Sequence, residues 1–319
     1  MNNIVVPSLD LNDFVNGNEE QKKSFYKNIG KAYNSTGFVI IKNHGLSQAK
    51  TEKLYDQVIK FFNLDEEAKK KYEIPNLYGQ RGYTGKGKEK AKDSKTPDLK
   101  EFWQQGQQIT QSEHLEETYP DNIYVEELPE FNKVTDEVYK QLEETGKYLL
   151  RAIALYLELD ENYFDEKIHH GNSILRLLHY FPILNPDDLA EDAVRAGAHE
   201  DINLITLLIG ASAEGLQLLT REGQWLPINA KPDEIVVNVG DMLQRLTNKK
   251  LVSTTHLVVN PPKHLLGTSR YSVPFFLHPK SNMDLTSLDS CCSIEYPKSY
   301  DSINAGQYLD ERLREIGLK

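Results

Sequence analysis

The chain runs to 319 residues, 39% hydrophobic and 27% charged, with a mean hydropathy of −0.56, which is enough apolar material for a sizeable core and too much for a disordered chain. Lys and Arg number 37 against 48 Asp and Glu, and the resulting net charge of −11 excludes a general binder of phosphate backbones. Cys291 and Cys292 are adjacent and cannot staple distant segments, so a reducing, cytoplasmic setting without a disulfide framework is expected.

In chain order, the opening MNNIVVPSLDLNDF has early acidic residues and no basic-then-apolar run, so no secretory signal is expected. The β-branched run Ile4 to Val6 predicts a short strand. A helix is predicted around Glu19 to Tyr33, where Phe25, Ile29 and Ala32 share one stripe. Residues 37–45, GFVIIKNHG, read as a buried strand closed by a Gly turn, and Ser47 then caps a helix with Leu54, Val58 and Phe61 at helical spacing. Residues 76–100 are polar and carry Lys86, Lys88, Lys90, Lys92 and Lys95. They read as a loop, either a solvated surface or a flap over a site. Pro129 suits the first turn of a long helix whose stripe is Phe131, Val134, Val138, Leu142, Leu149 and Ile153.

From Ser173 onward the period changes to two. SILRLLHYF, NLITLLIG, GLQLLT, EIVVNVGD, STTHLVV and SRYSVPFFLH predict short strands of an antiparallel barrel or sandwich. The longest apolar stretch, Leu204 to Ala213, is interrupted by Thr206 and Gly210 and is far short of the roughly 20 residues that span a bilayer, so no membrane partner is expected. No GxGxxG or P-loop lies between a strand and a helix, which leaves nucleotide cofactors without a visible cradle.

The chemistry-bearing residues lie in this second half. His199 and Asp201 are two apart, and in an extended backbone such residues point to one side. His256 opens an apolar run further on. Arg270 and Ser272 share a strand face by the same argument; a buried guanidinium needs an anionic partner, and a structural Asp or Glu could supply it as well as a ligand. Two imidazoles and one carboxylate on one side of a metal leave three octahedral positions open, the facial triad of non-haem Fe(II) oxygenases.

The order H-x-D, a distal His and then R-x-S resembles that of the 2-oxoglutarate and Fe(II)-dependent dioxygenases, in their isopenicillin N synthase-like branch. The likeness spans nearly the whole chain: VPSLDL, GFVIIKNHGL, RGYTGKGKEKAKD and DLKEFWQQG in the first third, then AHEDINLITLL, GLQLL, VNVGDMLQRLTN, STTH and RYSVPFFLHP in family order, and the tail INAGQYLDERLREIG. RGYTGKGKEKAKD and DLKEFWQQG look like the bacterial members. The resemblance implies a mainly β protein with helices: a double-stranded β-helix, or jelly-roll, core flanked by helices. It divides one compact unit into an N-terminal α/β region (1–120), a helical spine (121–170), the catalytic core (171–282) and a helical tail (283–319). His199, Asp201 and His256 match the iron ligands, and Arg270 and Ser272 match the pair that grips the 5-carboxylate of 2-oxoglutarate. Tyr180 matches a tyrosine that bonds the same cosubstrate. Fe(II), 2-oxoglutarate and O2 are thus the implied cofactor and cosubstrates, and oxidation of a small molecule with release of succinate and CO2 the implied reaction.

Strand alternation places Arg176 and Leu178 on the face of Tyr180, and Phe276 on that of Ser272, so all three are candidates for the substrate cavity. Arg176 suits an acidic group on the substrate. Arg81 and Tyr83, with Lys100, Phe102 and Trp103, are further candidates at its mouth, against the alternative that they pack the N-terminal region onto the core. Leu178, Leu257 and Asn203 stand where relatives often carry Asn, Arg and Gly, departures that bear on substrate identity. Three competing readings are an Fe(II) oxidase or cyclase that dispenses with 2-oxoglutarate, a metal-dependent hydrolase, and a non-catalytic binding protein. Oxygen uptake with and without 2-oxoglutarate discriminates among them. The remaining histidines, His44, His114, His169, His170, His179, His264 and His278, are not expected to be ligands.

Overall fold

The computed structural model describes residues 5–77, 79–88, 100–108, 119–183, 194–212 and 214–315. The first strand, β1 (Ser8–Asp10), lies later than the β-branched run suggested and pairs in parallel with β2 (Phe38–Lys42). Ile4 is outside the described residues, and Val6 is spent on packing, buried with Phe38 and Ile40. After α1 (Leu11–Val15), helix α2 (Glu19–Ser35) starts in a capping box in which Asn18 and Gln21 exchange side-chain and backbone bonds. Gly37, at a φ of 71°, makes the turn into β2. Helix α3 (Gln48–Phe62) begins where Ser47 accepts from the Lys50 amide, and a short α4 (Glu66–Lys70) follows.

The segment read as a loop, residues 76–100, contains one strand and ends on the first residue of another. β3 (Gly82–Thr84) pairs with β4 (Lys100–Gln105), which in turn pairs with β5 (Ile174–Tyr180) along its whole length. A three-residue strand that opens on glycine has no run long enough to register as a period of two. Lys90, Lys92 and Lys95 lie outside the described residues, whereas Lys86 sits over the Phe181 ring and Lys88 pairs with Glu73.

Helix α5 (Pro129–Tyr156) has its proline in the first turn and buries its whole predicted stripe. It packs on the large sheet, and at Gly146 a side chain would collide with Leu277 of that sheet. α6 (Asp165–Ile168) leads into β5. The later strands are β6 (Ala196–His199), β7 (Ile205–Ile209), β8 (Leu216–Leu219), β9 (Trp225–Pro227), β10 (Ile235–Val239), β11 (His256–Val258), β12 (Arg270–Ser272) and β13 (Pro274–Leu277), with α7 (Asp241–Leu246) after β10 and α8 (Ala305–Glu315) near the end. SRYSVPFFLH is therefore two strands. The break is at Val273, whose amide donates to the Ser212 hydroxyl at 3.0 Å.

Two sheets result. The larger has the order β1-β2-β10-β7-β13-β5-β4-β3, with β12 also on β5; the smaller is β6-β11-β8-β9. Apart from β1–β2, the pairings are antiparallel. The architecture is the expected mainly β jelly-roll flanked by helices, as two facing sheets without a closed barrel, and the first third of the chain extends the large sheet at both edges. The main apolar core lies between that sheet and helices α2, α3 and α5. Among the described residues no helix is long and apolar enough to cross a membrane.

Candidate active site

His199 and His256 face each other across the β6–β11 pair, and Asp201 follows the end of β6. Their ligand atoms all lie within 4.8 Å of one another, with Nε2 of His199 at 3.8 Å from Asp201 Oδ1 and Nε2 of His256 at 3.9 Å from Oδ2. A shared strand face is not what aims Asp201, because the strand has already ended. Its carboxylate is turned inward by two donors, the Thr206 hydroxyl at 2.6 Å and the Asn238 amide at 2.8 Å, both on the large sheet. Burial works against the ionised form of Asp201, but His256, His199 and these two hydrogen bonds outweigh it and hold the carboxyl below its usual range.

The imidazoles are oriented by the backbone. Nδ1 of His199 bonds the Gly197 carbonyl at 2.7 Å, and Nδ1 of His256 bonds the Thr254 carbonyl at 3.1 Å. A carbonyl only accepts, so each Nδ1 donates its proton there and each Nε2 is the ring atom turned toward Asp201. Two imidazole nitrogens, once free of a proton, and one ionised oxygen would form a donor set that fits Fe(II).

Beside this group, Arg270 stands opposite Tyr180, and Ser272 opposite Leu178, in the β12–β5 register. Directly opposed residues share a face, so all four point one way. The Arg270 guanidinium lies 5.2 Å over the Tyr180 ring; its Nη2 donates to the Ser212 carbonyl and, at 3.2 Å, to the Glu214 carbonyl. Nη1 is buried and has no partner among the described residues, and no described carboxylate pairs with this arginine. A structural Asp or Glu, left open by the sequence, is therefore not the counter-charge among the described residues. Arg195 adds to the positive field, with its own pKa lowered by burial and by Arg270.

The cavity face of β5 continues through Leu178 and Arg176. The Arg176 guanidinium is 4.5 Å from the Phe102 ring centroid and 5.5 Å from that of Phe276, and its Nε donates to Gln104 at 3.1 Å. Phe276 stands opposite Thr206, the residue that bonds Asp201. The face also includes Lys100, which is opposite Tyr180. Two residues beyond Phe276, His278 is buried with its Nδ1 lacking a partner among the described residues; burial pushes its imidazole down to about 4, so the ring is neutral at pH 7.

The structure moves Arg81 and Tyr83 away from this face. Tyr83 is opposite Trp103, and Trp103 opposite Leu177, so both aromatic rings lie behind the sheet. The Tyr83 hydroxyl donates to Glu101 at 2.5 Å. Arg81 is 1% exposed, donates to the Gln80 carbonyl and to Gln107, and has its pKa pushed down by burial to about 10. Both join the N-terminal region to the core. Thr206, Asn238 and Gln104 are not among the site residues read from the sequence, whereas His278 continues the Arg270 face by alternation, near the strand end. The period-two argument could also have found Thr206; Asn238 is brought in by sheet order alone.

Comparison with known proteins matches residues 6–127 to the family model of the non-haem dioxygenase in morphine synthesis N-terminal region, and residues 171–279 to that of the 2OG-Fe(II) oxygenase superfamily. The chain belongs to the 2OG-Fe(II) oxygenases. It is 32% identical to the proline hydroxylase buaE of Petromyces alliaceus, over 97% of this chain and 98% of that one. A 2OG-Fe(II) oxygenase family protein from Caulobacter crescentus superimposes with a TM-score of 0.87 at 41% identity, covering 98% of this chain and 99% of that one. A full-length Neurospora crassa protein, solved in complex with alpha-KG, superimposes with a TM-score of 0.86 at 30% identity, covering 98% and 97%. This 2OG-Fe(II) oxygenase is accordingly a non-haem dioxygenase with Fe(II) as cofactor and 2-oxoglutarate and O2 as cosubstrates.

Proposed function

We propose that His199, Asp201 and His256 hold the iron, that Arg270, Ser272 and Tyr180 hold the distal carboxylate of 2-oxoglutarate, and that Arg176, Leu178 and Phe276 receive a small-molecule substrate bearing an acidic group. The observation that carries this reading is the buried Nη1 of Arg270, unpartnered among the described residues, on the same side of the sheet as the three converging ligand atoms. The two N–H groups of Nη1 can donate to a carboxylate, and the neighbouring Ser272 adds a hydroxyl.

Bound Fe(II) with 2-oxoglutarate supplies the oxidising chemistry, in which O2 is consumed and succinate and CO2 are released. The protein's own residues bind, orient and exclude water. Thr206 and Asn238 keep Asp201 ionised and aimed, the Gly197 and Thr254 carbonyls hold Nδ1–H of each imidazole, and Nη1 of Arg270 would receive the distal carboxylate of the cosubstrate. Arg176 would anchor the substrate between the Phe102 and Phe276 rings, with neutral His278 available as a hydrogen-bonding neighbour.

The relatives support a small substrate. One is a proline hydroxylase, and the Neurospora crassa protein has been solved with thymine and with 5-formyluracil. Both ligand types carry oxygen acceptors that an arginine can grip. The test is an anaerobic titration of the Fe(II)-loaded protein with 2-oxoglutarate, followed by the visible metal-to-ligand charge-transfer band. A saturable band is expected, and Arg270→Ala should weaken binding by about 2–5 kcal/mol, the scale of truncating one partner of a buried charge pair. Unchanged affinity in that variant would move the cosubstrate carboxylate elsewhere.

A further inference from the structure

Behind β5, on the face turned from the cavity, lies a charged network that the oxidation chemistry does not use. Glu101 on β4 is 1% exposed and accepts from Lys69 Nζ at 2.8 Å, from His179 Nδ1 at 2.7 Å and from the Tyr83 hydroxyl at 2.5 Å. The other imidazole nitrogen of His179 is 2.9 Å from the Ser269 hydroxyl, and the ring stacks on Tyr271 with centroids 4.9 Å apart and planes at 14°. Ser269 and Tyr271 flank Arg270, and His179 precedes Tyr180. The network therefore joins β4, β5 and β12 from behind at the level where Lys100, Tyr180 and Arg270 line up in front.

β12 needs such a joint. It is three residues long, pairs with β5 and with no other strand among the described residues, and leaves the ladder at Val273. So short a pairing is marginal by itself and tolerates tilt. Apolar contacts alone would hold the strands together without setting their register, whereas directional bonds from a fully paired buried carboxylate fix both.

We infer that the Glu101–His179–Ser269 chain is a positioning device for the cosubstrate, setting the pitch of β12 on β5 so that Arg270 and Tyr180 meet the distal carboxylate in one geometry. This rests on the reading of Arg270 as the cosubstrate anchor. His179→Phe keeps a ring on Tyr271 and deletes both hydrogen bonds, while Ser269→Ala deletes only the last one. In the Fe(II)-loaded protein, His179→Phe should bind 2-oxoglutarate roughly tenfold more weakly, the lower end of what losing an outer hydrogen-bonding partner costs a liganded site. Ser269→Ala should show a smaller loss, and Fe(II) affinity should be unchanged in both. His179→Gln, which retains a donor toward Glu101, should recover part of the affinity. Wild-type 2-oxoglutarate affinity in folded His179→Phe would overturn the inference, as would an equal loss of Fe(II) and 2-oxoglutarate affinity. If His179→Phe does not fold, Ser269→Ala decides alone. Arg270→Ala, titrated alongside, separates the two ideas: wild-type affinity there means that the anchor assignment fails, whatever the network does.

Discussion

The two faces of β5 differ in what their charged side chains meet. On the cavity face, Arg176, Leu178 and Tyr180 look toward Arg270 and His278, each of which has a buried nitrogen without a partner among the described residues. On the reverse face, Leu175, Leu177 and His179 meet the core and the Glu101 network, where both imidazole nitrogens and both carboxylate oxygens are bonded. Leaving a buried polar atom unpaired costs free energy, and beside the three converging ligand atoms a bound carboxylate could complete the bond of Arg270. A buried charge with every bond made acts as a joint. On the proposed reading one strand would serve as binding wall in front and as a joint behind, with alternation keeping the two roles apart.

The sharpest way to break this comparison is on the cavity side. Asp201→Ala should abolish stoichiometric Fe(II) binding and all turnover while leaving the circular dichroism of the fold intact; iron retained by the purified variant would refute the ligand assignment. On the reverse side the damage should be to stability. Lys69→Met leaves the Glu101 carboxylate buried without its ammonium, and such a loss costs about 3–5 kcal/mol, read as a drop in the denaturation midpoint. Fe(II) affinity per folded molecule should not change, and a parallel fall would show that the two faces are not independent.

The smallest effect is a pH dependence. Burial opposes ionisation of Glu101, yet bonds from His179, Lys69 and Tyr83 prevail and hold its carboxyl below the ordinary value of 4.5. The unfolded chain then binds the proton more readily than the folded one. The stability contributed by Glu101 is complete above the ordinary carboxylate range and is lost as pH falls through the lower, folded value. Urea midpoints measured from pH 7 downward should fall below about pH 4.5, and should fall less steeply in Glu101→Gln. Equal slopes in the two proteins would remove Glu101 from the acid response.

Much of this was legible in the chain because it is local. The stripes of α2, α3 and α5 follow from a period of 3.6, and the cap at Ser47 from a side chain next to the amide it binds. His199, Asp201, His256, Arg270 and Ser272 stood out through spacing and through the likeness to a known family, and the fold brings the first three within 4.8 Å. The short strands β3, β6 and β9 were not legible, since three or four residues carry no period, and nothing in the sequence split SRYSVPFFLH at Val273.

What the sequence determined by itself was therefore the class of fold, the candidate metal-ligating residues and the facing of residues in the strands long enough to show a period of two. Only the tertiary structure decided which strands are neighbours. That choice put Asn238 on Asp201, left Arg270 without a carboxylate partner among the described residues, and sent Arg81 and Tyr83 behind the sheet instead of into the cavity. The physical reason is range: periodicity and capping act over a few residues, whereas the Glu101–His179 and Thr206–Phe276 contacts join residues about 70–80 positions apart and exist only once the sheets have assembled.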